Sequence, residues 1–315
     1  MRTHFKIFAQ LCIVYLASCA SAQGLFEEGL REEQTKNFDK ALERYDQAIL
    51  ADSNFVKAYN NRALILFRRG DLDGALKETD KALLIKPEYA AGLNNKGLIL
   101  ETQGKGQEAL RLYEKAASLD ANMIDAHFNA GNLALKRGDA ATAAGYLETA
   151  NSLKADDREI QLQLARAQLG AGNLGRAAEI FTGLRQKDPR DRDALLGLIQ
   201  VSGATQNTKE SIRLTQQFMS ENPDCLSCMS MLGSLYAEAK DYDKAIETFE
   251  SAGKTRPTDP TPRFHLGFLY YLKDNKDQAS RKFEEYLALR KDQKDDLTEK
   301  AEQMLKNLKK KPVNK

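Results

Sequence analysis

Val56–Tyr89, VKAYNNRALILFRRGDLDGALKETDKALLIKPEY, is the stretch whose reading decides the fold. It is 34 residues long and splits at Gly70-Asp71 into two apolar-periodic halves. A glycine there suits a left-handed residue at a helix end, and Pro87 closes the unit. The pattern predicts helix, tight turn, helix. Shifting the window by 34 residues recovers it without an insertion, with units starting at 22, 56, 90, 124, 158, 192, 226 and 260.

Numbering positions within the unit exposes the packing logic. Position 20 reads Ala41, Ala75, Ala109, Ala143, Ala177, Ser211, Ala245 and Ala279. Position 8 reads Gly29, Ala63, Gly97, Gly131, Ala165, Ile199, Gly233 and Gly267. Small side chains let two antiparallel helices approach, while larger ones, such as Tyr45, Tyr113, Phe181, Phe249 and Phe283 at position 24, fill the sides. Glycine recurs at position 15 (Gly70, Gly104, Gly138, Gly172) and proline at position 32 (Pro87, Pro189, Pro223, Pro257). Repeat six departs, with Ile199, Ser211, Thr215 and Gln206-Asn207 at the packing and turn positions. It reads either as drift in a tolerant scaffold or as a softer joint between two halves.

These recurrences resemble the tetratricopeptide repeat over residues 22–293. The resemblance implies an all-α, right-handed superhelical solenoid of eight 34-residue helix pairs. First helices would line a concave face and second helices a convex one. Residues 294–315 follow as a capping helix, with Leu297, Ala301, Met304, Leu305 and Leu308 at helical spacing, and a lysine-rich end.

Residues 1–22 differ in kind. Arg2 and Lys6 precede the apolar run Ile7–Ala17, which is too short to span a bilayer, and Ala20-Ser21-Ala22 fits signal cleavage. Leu16-Ala17-Ser18-Cys19 also resembles the lipobox of bacterial lipoproteins, in which Cys19 would carry the lipid and the leader would be residues 1–18. Either reading predicts export: a lipid-anchored envelope protein facing the periplasm, or a soluble periplasmic or secreted one. Without Arg2 and Lys6 the basic residues fall from 47 to 45, equal to the 45 acidic ones, which argues against nucleic acid as a partner.

Little in the chain points to catalysis. His127 and His265 lie in different repeats, and no zinc-ligand spacing, nucleophile motif or phosphate-binding glycine loop appears. No enzyme activity, cofactor or metal is expected. Cys225-Leu226-Ser227-Cys228 opens the first helix of repeat seven. In an exported protein it reads first as a structural disulfide, and secondly as a redox pair at a helix N-terminus.

The resemblance places groove-facing residues at positions 2, 5, 6, 9, 12 and 13 of the first helices. There stand Lys57, Asn60 and Asn61, Asn94 and Asn95, then Asn129 and Asn132. An amide both donates and accepts, so a row of them can hold a peptide backbone without reading its side chains. Asparagine at position 6 is also frequent in the repeat itself, which leaves a purely structural role open. The family's carboxylate clamp is broken here, with Asp125 at position 2 of repeat four and Leu64 and Leu98 at position 9. In repeat eight, Phe264, Phe268 and Tyr271 form an aromatic set. It would be a partner anchor, or the floor on which the capping helix folds. The expectation is a non-catalytic scaffold or adaptor of the cell envelope that binds a protein or extended peptide. Similar bacterial lipoproteins assist outer-membrane assembly or recruit cell-wall enzymes. A self-assembling structural solenoid is the alternative, and the sequence leaves the oligomeric state open.

Overall fold

The computed structural model describes residues 21–223, 225–290 and 295–309. Cys19, nearly all of the expected leader and residues 310–315 of the basic end lie outside them. The described residues form helices and no strand, and contacts divide the chain after Ala171 into two compact units. That division falls inside repeat five, one repeat before the joint considered for repeat six.

The first unit holds α1 (Ala22–Gln34), α2 (Phe38–Ala51), α3 (Val56–Arg68), α4 (Leu72–Ile85), α5 (Ala90–Thr102), α6 (Gly106–Leu119), α7 (Ile124–Lys136), α8 (Ala140–Leu153) and α9 (Arg158–Gly170). Partners within repeats one to four pack as antiparallel hairpins. The first helices also touch in series, α3 on α5, α5 on α7 and α7 on α9. That crowding makes their outward side the inner face of this unit. The second unit holds α10 (Leu174–Lys187), α11 (Arg192–Ala204), α12 (Thr208–Glu221), α13 (Leu226–Glu238), α14 (Tyr242–Thr255), α15 (Thr261–Leu272), α16 (Lys276–Leu289) and α17 (Asp296–Leu308), the last packed on α16 as a cap.

The hairpin turns share one backbone conformation. Position 15 is left-handed in all eight repeats. Gly70, Gly104, Gly138 and Gly172 have φ near +80°, as glycine allows, with values of 81°, 79°, 82° and 81°. Lys36, Gln206, Lys240 and Asp274 hold the same place with φ of 61°, 55°, 61° and 53°. In repeats two, four, six, seven and eight the next residue caps the second helix: Asp71, Asp139, Asn207, Asp241 and Asn275 each accept a backbone N–H three residues on.

In the hairpins of repeats one, three, four, seven and eight, the glycine at position 8 meets the large residue at position 24. A Cβ on Gly29 would sit 2.4 Å from Tyr45, on Gly97 2.6 Å from Tyr113, and on Gly233 2.6 Å from Phe249. Repeat six exchanges the two sizes, with Ile199 at position 8 and Thr215 at position 24, both buried. Its Ser211 hydroxyl donates to Ser202 at 2.8 Å, which satisfies the polar atom that an alanine would not have brought. Repeat six thus conserves volume by exchange.

Candidate functional site

The inner face of the first unit is tied together by amides. Asn95 Nδ2 donates to Asn60 Oδ1 at 2.8 Å, joining α5 to α3. Asn129 Nδ2 donates to Asn94 Oδ1 at 3.0 Å, joining α7 to α5. Each rung runs from position 6 of one repeat to position 5 of the one before. Repeat one has Phe26 at position 5, so Asn61 turns to the Tyr45 hydroxyl instead, at 3.3 Å. Repeat five offers Gln163 at position 6, bonded to Glu159 of its own helix, and no further asparagine rung follows.

The rungs continue into charge. Tyr45 Oη donates to Glu33 Oε2 at 2.9 Å, and Arg68 holds the other oxygen of Glu33 at 2.7 Å. Two repeats on, Tyr113 donates to Glu101 at 3.0 Å, and Lys136 holds Glu101 at 2.7 Å. Burial, with the neighbouring carboxylate adding to it, pushes both tyrosine hydroxyls above their ordinary pKa range. A long contact of 3.5 Å from Asn60 Nδ2 to Asn61 Oδ1 completes one network, in which Asn95, Asn60, Asn61 and Tyr45 donate in turn toward Glu33.

Burial sorts the predicted groove residues into two groups. Asn60, Asn94 and Asn95 are only 4%, 5% and 8% exposed, so they join helices beneath the surface rather than lie open on it. A buried amide needs a partner, and the neighbouring repeat supplies one. Asn61, Asn129 and Asn132 are half-buried, and Lys57 is exposed at the start of α3. The carbonyl oxygen of Asn132 is enclosed without a hydrogen-bond partner.

The aromatic set of repeat eight separates in the same way. Phe264 is a core residue, packed with Phe283, Tyr286 and Ala301 where α17 closes over α15 and α16. Of the two places expected for it, this takes Phe264 off the groove and makes it part of the apolar floor that the cap needs. Phe268 lies half-buried beside the cap, with Lys300 over its ring at 5.9 Å, and Tyr271 is exposed. His265 stacks on Phe249 with ring centroids 4.6 Å apart, and burial lowers its pKa. Cys225 and Cys228 are joined as a disulfide across the first turn of α13, with Cys228 packed among Leu195, Leu214 and Phe218.

Among the described residues no group of His, Cys, Asp or Glu is arranged to hold a metal ion, and no helix is long and apolar enough to cross a membrane. Glu33 and Arg68 stand at groove positions 12 and 13 but were not singled out there, and Tyr45 at position 24 lies outside the groove positions. Their signal was a tyrosine at position 24 together with glutamate at position 12, present in repeats one and three.

A family model described as tetratricopeptide repeat matches residues 26–92, 94–157 and 162–210, and a second such model matches 226–259. The chain belongs to the tetratricopeptide repeat family. Tetratricopeptide repeats generally mediate contacts between proteins, and the fold is typically a non-catalytic scaffold. Among curated proteins the chain is 29% identical over 104 residues to human Protein O-mannosyl-transferase TMTC1, and 30% identical over 112 residues to the mouse protein. Those segments cover 33% of this chain and 12% of each transferase, so the chain spans about an eighth of the length of the relatives it matches. Among solved structures, YrrB, a TPR protein with an unusual peptide-binding site, is 23% identical with a TM-score of 0.55, over 62% of this chain and 97% of that one. PilF of Pseudomonas aeruginosa is 20% identical with a TM-score of 0.54, over 64% and 92%. These two structures share the fold of the tetratricopeptide chain.

Proposed function

We propose that this tetratricopeptide protein is an exported, non-catalytic scaffold of a bacterial cell envelope that binds an extended segment of another protein along the inner face of its first unit. The observation that carries the reading is the amide row on α3, α5 and α7. Buried rungs fix the side chains in place, while half-buried Asn61, Asn129 and Asn132 keep donors and acceptors that the rungs do not use. Preorganised amides cost little further ordering when a peptide backbone arrives. The peptide-binding site named for YrrB supports the same use of the fold.

Export rests on the leader. Ser21 caps α1 by accepting the Gly24 N–H at 3.1 Å. Processing at Cys19 keeps that cap, whereas cleavage after Ala22 removes it at a cost of about 1 kcal/mol. This favours the lipid-anchored form, and the intact mass of the exported protein tests it. A chain beginning at unmodified Gln23 would remove the anchor.

The binding claim is tested by panning a display library of unstructured peptides on the full chain. Clones are then re-tested on a variant with Asn61, Asn129 and Asn132 all changed to alanine. Loss of binding by this variant, while Asn95→Ala, which breaks a buried rung at a similar cost in stability, still binds, is the expected result. Equal binding by the variant would move the site away from the amide row.

A further inference from the structure

The repeats of this chain serve as controls for one another. Position 28 of one repeat lies against positions 4 and 23 of the next. At the junction of repeats two and three these places hold Leu83, Leu93 and Leu112, which pack in one apolar cluster with Ala116, Ala117 and Ala126. At the junction of repeats three and four they hold Ala117, His127 and Tyr146, with the two rings 6.0 Å apart. At the junction of repeats seven and eight the same places hold Gly253, Arg263 and Lys282. The side chain that should fill the seam is absent, and two cations replace its apolar partners.

The result is a cleft of about 320 Å³ between α14, α15 and α16, in the second unit and distant in sequence from the amide row. Glu250, Lys254 and Glu285 complete its charged lining. A Cβ on Gly253 would meet Arg263 and Pro262 no closer than 3.7 Å, so the glycine leaves room that packing does not demand. Lys282 is neutralised by Glu285 at 2.8 Å. Arg263 is not neutralised: its Nη1 donates to the uncharged carbonyl of Asp259 at 2.8 Å. Lys254 is exposed, and neither it nor Arg263 has a carboxylate partner among the described residues.

Replacing a leucine seam by two cations and a void forfeits apolar burial. A planar guanidinium beside an ammonium matches an oxyanion, which accepts several charge-assisted hydrogen bonds at once. Glu250, which accepts the Tyr270 hydroxyl at 3.1 Å, and Glu285 flank the cleft and disfavour polyanions. We propose that this cleft is a binding site for a small oxyanion, a carboxylate or phosphate group, held by Arg263 and Lys254.

The test titrates the full chain with inorganic phosphate and, separately, with acetate, by isothermal calorimetry against sodium chloride at matched ionic strength. Saturable one-site binding of either is expected: phosphate alone identifies a phosphoryl ligand, acetate alone a carboxylate ligand. Arg263→Leu should weaken binding about tenfold or more by removing a charge-assisted bond. Gly253→Leu should block the cleft by filling it. Both variants restore the residue type found at Leu83 and Leu93, so their melting temperatures should not fall. If Arg263→Leu nevertheless fails to fold, Gly253→Leu and the exposed-site variant Lys254→Met decide the matter. No saturable binding of either anion above chloride, or binding unchanged by these variants, overturns the site.

Discussion

The Asn60–Asn95 rung is the contact on which a structural and a ligand-binding role for the amide row can be separated. Its two side chains are 4% and 8% exposed and bonded at 2.8 Å. Asn95→Ala removes a bond worth about 1 kcal/mol and leaves the Asn60 carbonyl oxygen enclosed without its donor, so the total should approach about 2 kcal/mol. Asn60→Ala strands the Asn95 amide in the same way. The double variant leaves neither group unpaired, so its cost should fall short of the sum of the singles by about 2–3 kcal/mol. Stability in a repeat array is partly local, so the assay pairs urea melts followed by circular dichroism with amide exchange across α3 and α5. Exchange should accelerate in those two helices first. Single variants within about 0.3 kcal/mol of wild type, or additive costs in the double, would refute the rung as a structural tie.

Two further outcomes follow from the turn and the link. Gly104→Ala places a Cβ in open space at φ 79°, so its cost is conformational alone, about 1 kcal/mol, and Lys240→Gly at φ 61° should gain a similar or slightly smaller amount; thermal melts showing both substitutions neutral would contradict the shared left-handed turn. Cys225→Ser with Cys228→Ser opens a four-residue crosslink at the start of α13 and should cost about 2 kcal/mol, read as faster amide exchange around α12 and α13 relative to the oxidised chain, while a count of two free thiols in the unreduced protein would show that the bond does not form.

Much of this was legible in the chain because one register governs so many contacts. The position 8 glycines and position 20 alanines announced close helix approach, and the structure puts Tyr45 against Gly29 and Tyr113 against Gly97. The four glycine turns were readable, but Lys36, Gln206, Lys240 and Asp274 were not, since their residue types do not demand a left-handed backbone. Repeat six looked irregular for a related reason: Ile199 and Thr215 break the size rule singly and obey it as a pair. The asparagine row was visible as a column. Its pairing was not, because the bond runs diagonally from position 6 to position 5 of the previous repeat. The two places the sequence left open for Phe264, partner anchor or floor of the cap, could be separated only once α17 was seen seated on α15.

The network that ends on Glu33 has a sense as well as a composition. Asn95, Asn60, Asn61 and Tyr45 pass their hydrogens one way, toward a fixed negative charge that Arg68 pins in place. Aligned donors polarise one another, so turning any one amide over would set it against both neighbours. A polypeptide is itself a directed object, with amide hydrogens and carbonyls in fixed order. On the peptide-binding reading proposed above, dipoles drawn toward one end beneath this face would favour a strand entering in one direction over the same strand reversed, before any side chain is read.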